Sequence, residues 1–443
     1  MIKRMINNNF FQSALTQGGS AFFAFMSFAI LARKLSFGSF GNWMLFLTLI
    51  TFLEMIKAGV VQTAVIKYAS GENQTTKAQI FGTSWCINFV GSGLMGLILF
   101  AVYCIAETGG GLGLFLKYYL VYTLIIMPFN YYQWVMQVDG DFKAITRAKM
   151  FNSGLFFCCC LALNQTTVQE EGIAIIYIIS TALTSLLCLF SRKTMIAHVR
   201  EFNKTVMRRM FDFGKYHMLA FLGSNLLKSS DVFLIGGLIG PVGLAIYSIP
   251  LRLVEIIEMP LKSAIQVVFP MFSALDNQRK MDALRKLIER SIGVITLVYV
   301  PFIAVLFVYS DFLIGLVGGD KYQDAVVIFQ IFLIYGLFLP FDRITGISLD
   351  AMGMPKLNFY KVLIMASVNI IGDIVAIIFY ESLELVAIIT VANALCGTMV
   401  GYYLVKKHLG ISFKTVFLSG WYTILEFITN QKKSLIKIHK HEN

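Results

Sequence analysis

The stretch MPFNYYQWVMQVDGDFK (127–143) has an echo 212 residues later in LPFDRITGISLDAMGMPK (339–356), and this pair decides how the chain is organised. Each has Pro-Phe-Asn/Asp within an apolar run and a glycine, Gly140 or Gly353, 12 or 13 residues beyond the proline. A second pair, LSFGSFGNW (35–43) and LIGPVGLAIY (238–247), repeats the relation. Matches in equivalent places of the two halves predict an internal duplication.

What is duplicated follows from composition. Of 443 residues 57% are hydrophobic and only 14% charged, with mean hydropathy +0.72; soluble domains carry about 25% charged residues. Apolar runs near 20 residues match a hydrocarbon core about 30 Å thick at about 1.5 Å per residue. Twelve candidate spans run from 13–32 to 384–405. The expected fold is therefore an all-α integral membrane protein of about twelve transmembrane helices. It is arranged as two six-helix lobes related by a pseudo-two-fold axis along the membrane normal, since six spans per half give both halves the same orientation. The expected parts are an N-terminal lobe (1–191), a basic cytoplasmic linker (192–213), a C-terminal lobe (214–405) and a basic tail (406–443). Trp421 and Tyr422 with Lys432, Lys433 and Lys437 suit the tail either to an interfacial helix on anionic membrane lipids or to a solvated extension.

The net charge of +12 is explained by where it lies. Of 37 Lys and Arg, 28 fall in the termini and loops on one side, and only Arg33, Lys34, Lys117 and Lys321 on the other. Such asymmetry predicts cytoplasmic termini and removes any need for a nucleic-acid partner. The seven cysteines, three of them consecutive (Cys158–Cys160), have no zinc or CxxC spacing and read as small apolar residues.

A charge at mid-membrane costs about 2.5–3.5 kcal/mol and marks a cavity or a partner. Span two carries Glu54 and Lys57, span seven Lys228 and Asp231, span eight Arg252, Glu255, Glu258 and Lys262, and span ten Asp342 and Arg343. Lys228 and Arg252 sit about 21 Å and about 14 Å along their spans, at comparable depth from opposite ends. Two readings stand side by side. Pairs such as Glu54–Lys57 and Lys228–Asp231 neutralise themselves, or the charges line a water-filled cavity between the two halves. In the second reading the cations accept phosphate or diphosphate, and the carboxylates balance charge or carry a coupling H⁺ or Na⁺.

Enzyme motifs are sparse. Asp139-Gly140-Asp141 matches a metal-binding Asp-x-Asp but also ordinary turn chemistry. The five histidines show no metal spacing, and no Walker A or GxSxG motif occurs. No catalytic residue, metal site or resident cofactor is expected, and a polymerase or ligase of polysaccharide assembly is disfavoured by short outer loops.

The stretches ARKLSFGSFG (32–41), SSDVFLIGGLIGPVGLAIY (229–247), PLKSAIQVVFPMFS (260–273), LVGGDKYQDA (316–325) and LDAMGMPK (349–356) resemble, in order, those of Wzx-type polysaccharide-repeat flippases of the multidrug/oligosaccharidyl-lipid/polysaccharide exporter superfamily. The resemblance implies a bacterial inner-membrane protein that moves undecaprenyl-diphosphate-linked oligosaccharide outward by alternating access, for O-antigen or capsule. Polymerase or assembly proteins would be further partners. It carries roles onto Arg33 and Asp231. Depth alone places Lys57, Lys228, Arg252 and Arg343 as substrate-binding, and Glu54, Glu255, Glu258 and Asp342 as coupling or charge-balancing. A cation-coupled drug or metabolite exporter is the alternative.

Overall fold

A computed structural model describes residues 19–106, 108–163 and 169–439, with side chains throughout except at 214–228, 427–428 and 430–439. Among the described residues there is no strand. Helix α1 covers 19–34, α2 Phe37–Ala69, α3 Gln74–Ala106, α4 Gly110–Val138, α5 Phe142–Ala162 and α6 Glu170–Phe190. A 3₁₀ segment, Ile196–Glu201, leads into α7 (Lys204–Leu234), which ends in a π turn at Ile235–Ile239. Then follow α8 (Pro241–Asn277), α9 (Met281–Val308), a short helix Ser310–Gly318, α10 (Ala325–Ala351), α11 (Pro355–Tyr380), α12 (Leu383–Leu409) and α13 (Phe413–His439).

Eight of these, α2, α3, α4, α6, α9, α10, α11 and α12, are long and apolar enough to cross a membrane. With α1 and the more heavily charged α5, α7 and α8 they make the expected succession of twelve, α7–α12 following the order of α1–α6. The echo at 127–143 and 339–356 is structural in detail. After α4, the N–H groups of Asp139, Gly140 and Asp141 donate to the carbonyls of Val135, Gln137 and Met136. After α10, Met352, Gly353 and Met354 donate to Ser348, Asp350 and Leu349 in the same order. The glycine in each turn has positive φ, 76° at Gly140 and 69° at Gly353, a left-handed conformation that a Cβ disfavours. Likewise Trp43 and Tyr247 are each the seventh residue of their helices and are fully buried.

The described chain forms two compact units, Met1–Ser248 with Val317–Gly319, and Ile249–Leu316 with Asp320–Asn443. This division falls inside α8. The reason lies in local packing: α7 lies against α2, where the rings of Phe52 and Phe233 meet edge to face at 5.2 Å. The linker itself is docked on α3. Trp85 Nε1 donates to the carbonyl of Thr194 at 2.9 Å, and the N–H of Asn203 to Thr83 Oγ1 at 3.0 Å. Lys67 lies 3.9 Å from the Phe213 ring centroid and Arg209 4.4 Å from that of Tyr68.

In the first unit α4 is central, packed by α2, α3, α5 and α6. Trp43 anchors this core against Phe46, Phe156 and Tyr177. In the second unit α12 approaches α10 through Gly397 and Gly401, four residues apart: a Cβ there would lie 2.5 Å from Asp342 Oδ1 and 2.2 Å from Thr345 Oγ1. Membrane helices associate through such small-residue faces because lipid offers no hydrophobic drive between them. The tail is helical over Phe413–His439. Gly293 of α9 and Gly420 of α13 meet backbone to backbone, and Phe413 stacks on Phe341 with centroids 5.0 Å apart.

Gly401→Val is expected to force α10 and α12 apart and to lower stability by about 1–3 kcal/mol, as core overpacking does. The check is the thermal unfolding midpoint of the detergent-purified protein, which Gly315→Ala, facing open space, should leave unchanged.

Candidate substrate-binding cavity

A carboxylate in an apolar helix must find compensation, and the two units compensate theirs in the same way. Glu54 is the eighteenth residue of α2 and Glu258 the eighteenth of α8. Each accepts from a hydroxyl carried five residues before the proline of a partner helix: Thr123 Oγ1 to Glu54 Oε1 at 3.2 Å, before Pro128, and Tyr335 OH to Glu258 Oε1 at 3.1 Å, before Pro340. Each pairs with a lysine one turn on, Lys57 Nζ at 2.5 Å and Lys262 Nζ at 3.0 Å. Lys57 also donates to Thr123 Oγ1 and lies 5.9 Å from the Tyr119 ring centroid.

Two residues beyond each proline the units differ. In the first, Asn130 Nδ2 donates to Glu54 Oε2 at 3.4 Å. In the second, Asp342 takes that place and pairs with Lys361 Nζ at 2.6 Å, both almost fully buried. Lys361 also donates to the Asp342 carbonyl at 2.6 Å. Arg343 lies 3.8 Å from Glu258 and 3.9 Å from Asp342.

Glu54, Lys57 and Asn130 face a cavity of about 420 Å³ within the first unit, together with Gln62, Asn88, Tyr122, Trp134 and Lys149. Ala58 and Gln62 of this wall belong to a π turn, Ala58–Gln62, inside α2. Such turns interrupt the regular i→i−4 ladder and are frequent at functional sites.

The other expected residues are placed as follows. Asp231 is buried in the first unit, accepting from Tyr247 OH at 2.9 Å and Ser230 Oγ at 3.2 Å. The side chain of Lys228 lies outside the described residues, so its relation to Asp231 is not on view. Arg252 pairs with Glu255 at 2.6 Å along one turn of α8. Arg33 is exposed at the end of α1. Neighbouring Lys34 caps α5, donating to the carbonyls of Cys160, Leu161 and Leu163. Asp139 and Asp141 have structural partners: Asp139 pairs with Lys77 at 2.9 Å, and Asp141 caps α5 through the Ala144 N–H. Among the described residues, no group of three or more His, Cys, Asp or Glu converges as for a metal.

Sequence reasoning missed Thr123, Tyr335, Tyr247, Lys149 and Lys361. The two lysines were counted with the cytoplasmic loops, yet each lies 21 residues after its helix proline, inside α5 and α11. That shared spacing was the available signal. A further buried trio in the second unit, Asn369, Asp373 and Asn393, is linked by bonds of 2.7 and 3.1 Å.

Helical repeats of this order share their fold with solved multi-pass transporters. A multidrug-resistance MATE family transporter in an inward-facing conformation aligns with TM-score 0.73 and 13% identity, over 88% of this chain and 94% of that one. The lipid II flippase MurJ aligns with the same score and identity, over 94% of this chain and 91% of its own. The chain belongs to the polysaccharide biosynthesis protein family, whose pattern matches residues 30–327. It is 25% identical over 313 residues to the teichuronic acid biosynthesis protein TuaB of Bacillus subtilis, aligned over 68% of this chain. It is 22% identical over 221 residues to the probable low-salt glycan biosynthesis flippase Agl15 of Haloferax volcanii, aligned over 50% of this chain. The match spans 63% of the length of TuaB and 46% of that of Agl15.

Lys361→Met leaves the buried Asp342 with only the distant Arg343 as a cation and is expected to cost about 3–5 kcal/mol. Lys361→Met combined with Asp342→Leu should recover most of that loss. Unfolding midpoints of the single and double variants check the coupling.

Proposed function

We propose that the protein carries lipid-linked oligosaccharide repeat units, with a diphosphate between lipid and glycan, across the cytoplasmic membrane of a bacterium for surface polysaccharide assembly. One relative is named a probable glycan biosynthesis flippase and another a teichuronic acid biosynthesis protein, and the family is one of polysaccharide biosynthesis, which supports this reading. The observation that carries the reading is a cavity of about 420 Å³ walled by both cations and amides inside an apolar helical unit. Neutral or cationic drugs would not require lysines there, whereas an anionic head group with many hydroxyls would use both. The lipid tail stays in the bilayer while the head enters the polar interior, and alternating access exposes it to the two sides in turn. Basic loops and tail hold both termini in the cytoplasm. The carboxylates Glu54, Asp231, Glu258 and Asp342 supply the coupling to H⁺ or Na⁺. The undecaprenyl carrier and a downstream polymerase belong to the same proposal.

The fold is shared equally with a multidrug transporter, so the test must separate the two readings. Deletion of the gene should accumulate lipid-linked repeat units on the inner leaflet and remove surface glycan. Intact surface glycan with altered drug sensitivity would overturn the proposal. Glu258→Gln, which keeps the Tyr335 contact but weakens both cation contacts, is expected to slow glycan export at least about tenfold at unchanged protein level, measured by labelled surface glycan.

A further inference from the structure

We propose that Lys149 is the phosphate-binding cation of a sugar-phosphate site contained within the first unit. The duplication supplies an internal control. In the second unit the equivalent Lys361 is 3% exposed and committed to Asp342 through both its carboxylate and its carbonyl, at 2.6 Å each. In the first unit the position of Asp342 is held by Asn130, whose amide carries no charge and donates to Glu54. Lys149 therefore lacks the carboxylate that its counterpart has. Among the described residues it has no ion-pair partner, and it is exposed where it lines the cavity.

The other cation of this cavity cannot serve in its place, because Lys57 is held by Glu54 and Thr123. A cavity of about 420 Å³ lies in the range of small-ligand sites, about 300–1,000 Å³. Its remaining walls match the rest of such a ligand. Gln62 and Asn88 offer amide donors and acceptors for hydroxyls, and Trp134 and Tyr122 offer ring surface for the apolar face of a sugar. A compact ammonium free of a carboxylate favours phosphate oxygens over neutral groups. The ligand class is thus a glycosyl phosphate or diphosphate, and its supply as the head of a lipid-linked glycan rests on the function proposed above.

The test uses the full-length protein in phospholipid nanodiscs with two probes, inorganic pyrophosphate and farnesyl diphosphate, titrated calorimetrically. Lys149→Ala should weaken both at least about tenfold, the worth of one charge-assisted contact, while Lys149→Arg should stay within about threefold. Asn130→Asp restores the carboxylate present in the second unit and should weaken binding about as much as Lys149→Ala. Lys143→Ala, an exposed cation on the same helix outside the cavity, should bind like the unaltered protein. Equal affinity in Lys149→Ala and the unaltered protein, or no binding of either probe to the latter, overturns the site. Lys149-dependent binding of pyrophosphate but not of farnesyl diphosphate supports the site and overturns its use for a lipid-linked substrate.

Discussion

The structure depends on how a glutamate is kept in an apolar helix. Water would solvate it, and lipid cannot, so its charge must be answered by groups the chain itself supplies. Here the answer has three parts: a lysine one turn further along, a hydroxyl from a neighbouring helix, and a polar residue just past that helix's proline. The first two parts recur at Glu258, where Arg343 lies 3.8 Å away in place of the third, so α2 is tied to α4 and α8 to α10 by the same lysine and hydroxyl contacts. The requirement constrains the register of four helices, since sliding any of them by a turn would strand a charge.

The proline-flanking segments carry the duplication because they serve both ends of this constraint. The proline frees a carbonyl and bends the local ladder, while the residues around it aim at the glutamate. The turns that follow are identical in bonding pattern, so α5 and α11 start at equivalent points and bring Lys149 and Lys361 to equivalent depth. Divergence then acts on a symmetrical frame. One change of carboxylate to amide, Asp342 against Asn130, leaves one half with a closed ion pair and the other with an available cation.

Much of this was legible in the chain. Apolar run length gave the helices, and the Glu54–Lys57 spacing gave a pair that the structure keeps. In the charge series of α8, Arg252 pairs with Glu255 and Glu258 with Lys262. What stayed hidden has a physical reason. Hydropathy counts assign a lysine near a span's cytoplasmic end to the loop, so Lys149 and Lys361 were read as topology signals although both lie about two turns inside their helices. Hydroxyl donors such as Thr123, Tyr335 and Tyr247 leave no charge or period to notice; only their distance from a proline or an aspartate marks them. The docking of the basic linker onto α3 was hidden too, because it is made by backbone carbonyls and a buried indole.

That indole has an optical consequence. Trp85 stacks on Tyr131 with centroids 4.0 Å apart, and Tyr131 meets Trp134 at 4.6 Å, so a short column of rings runs from the linker's Thr194 to the cavity wall. The chain has four tryptophans, and only Trp134 faces the cavity among its lining residues. With Trp43 and Trp421 replaced by phenylalanine, the emission of Trp134 would report the polarity of the cavity's contents and that of the stacked Trp85 the linker, two indoles joined by a single tyrosine.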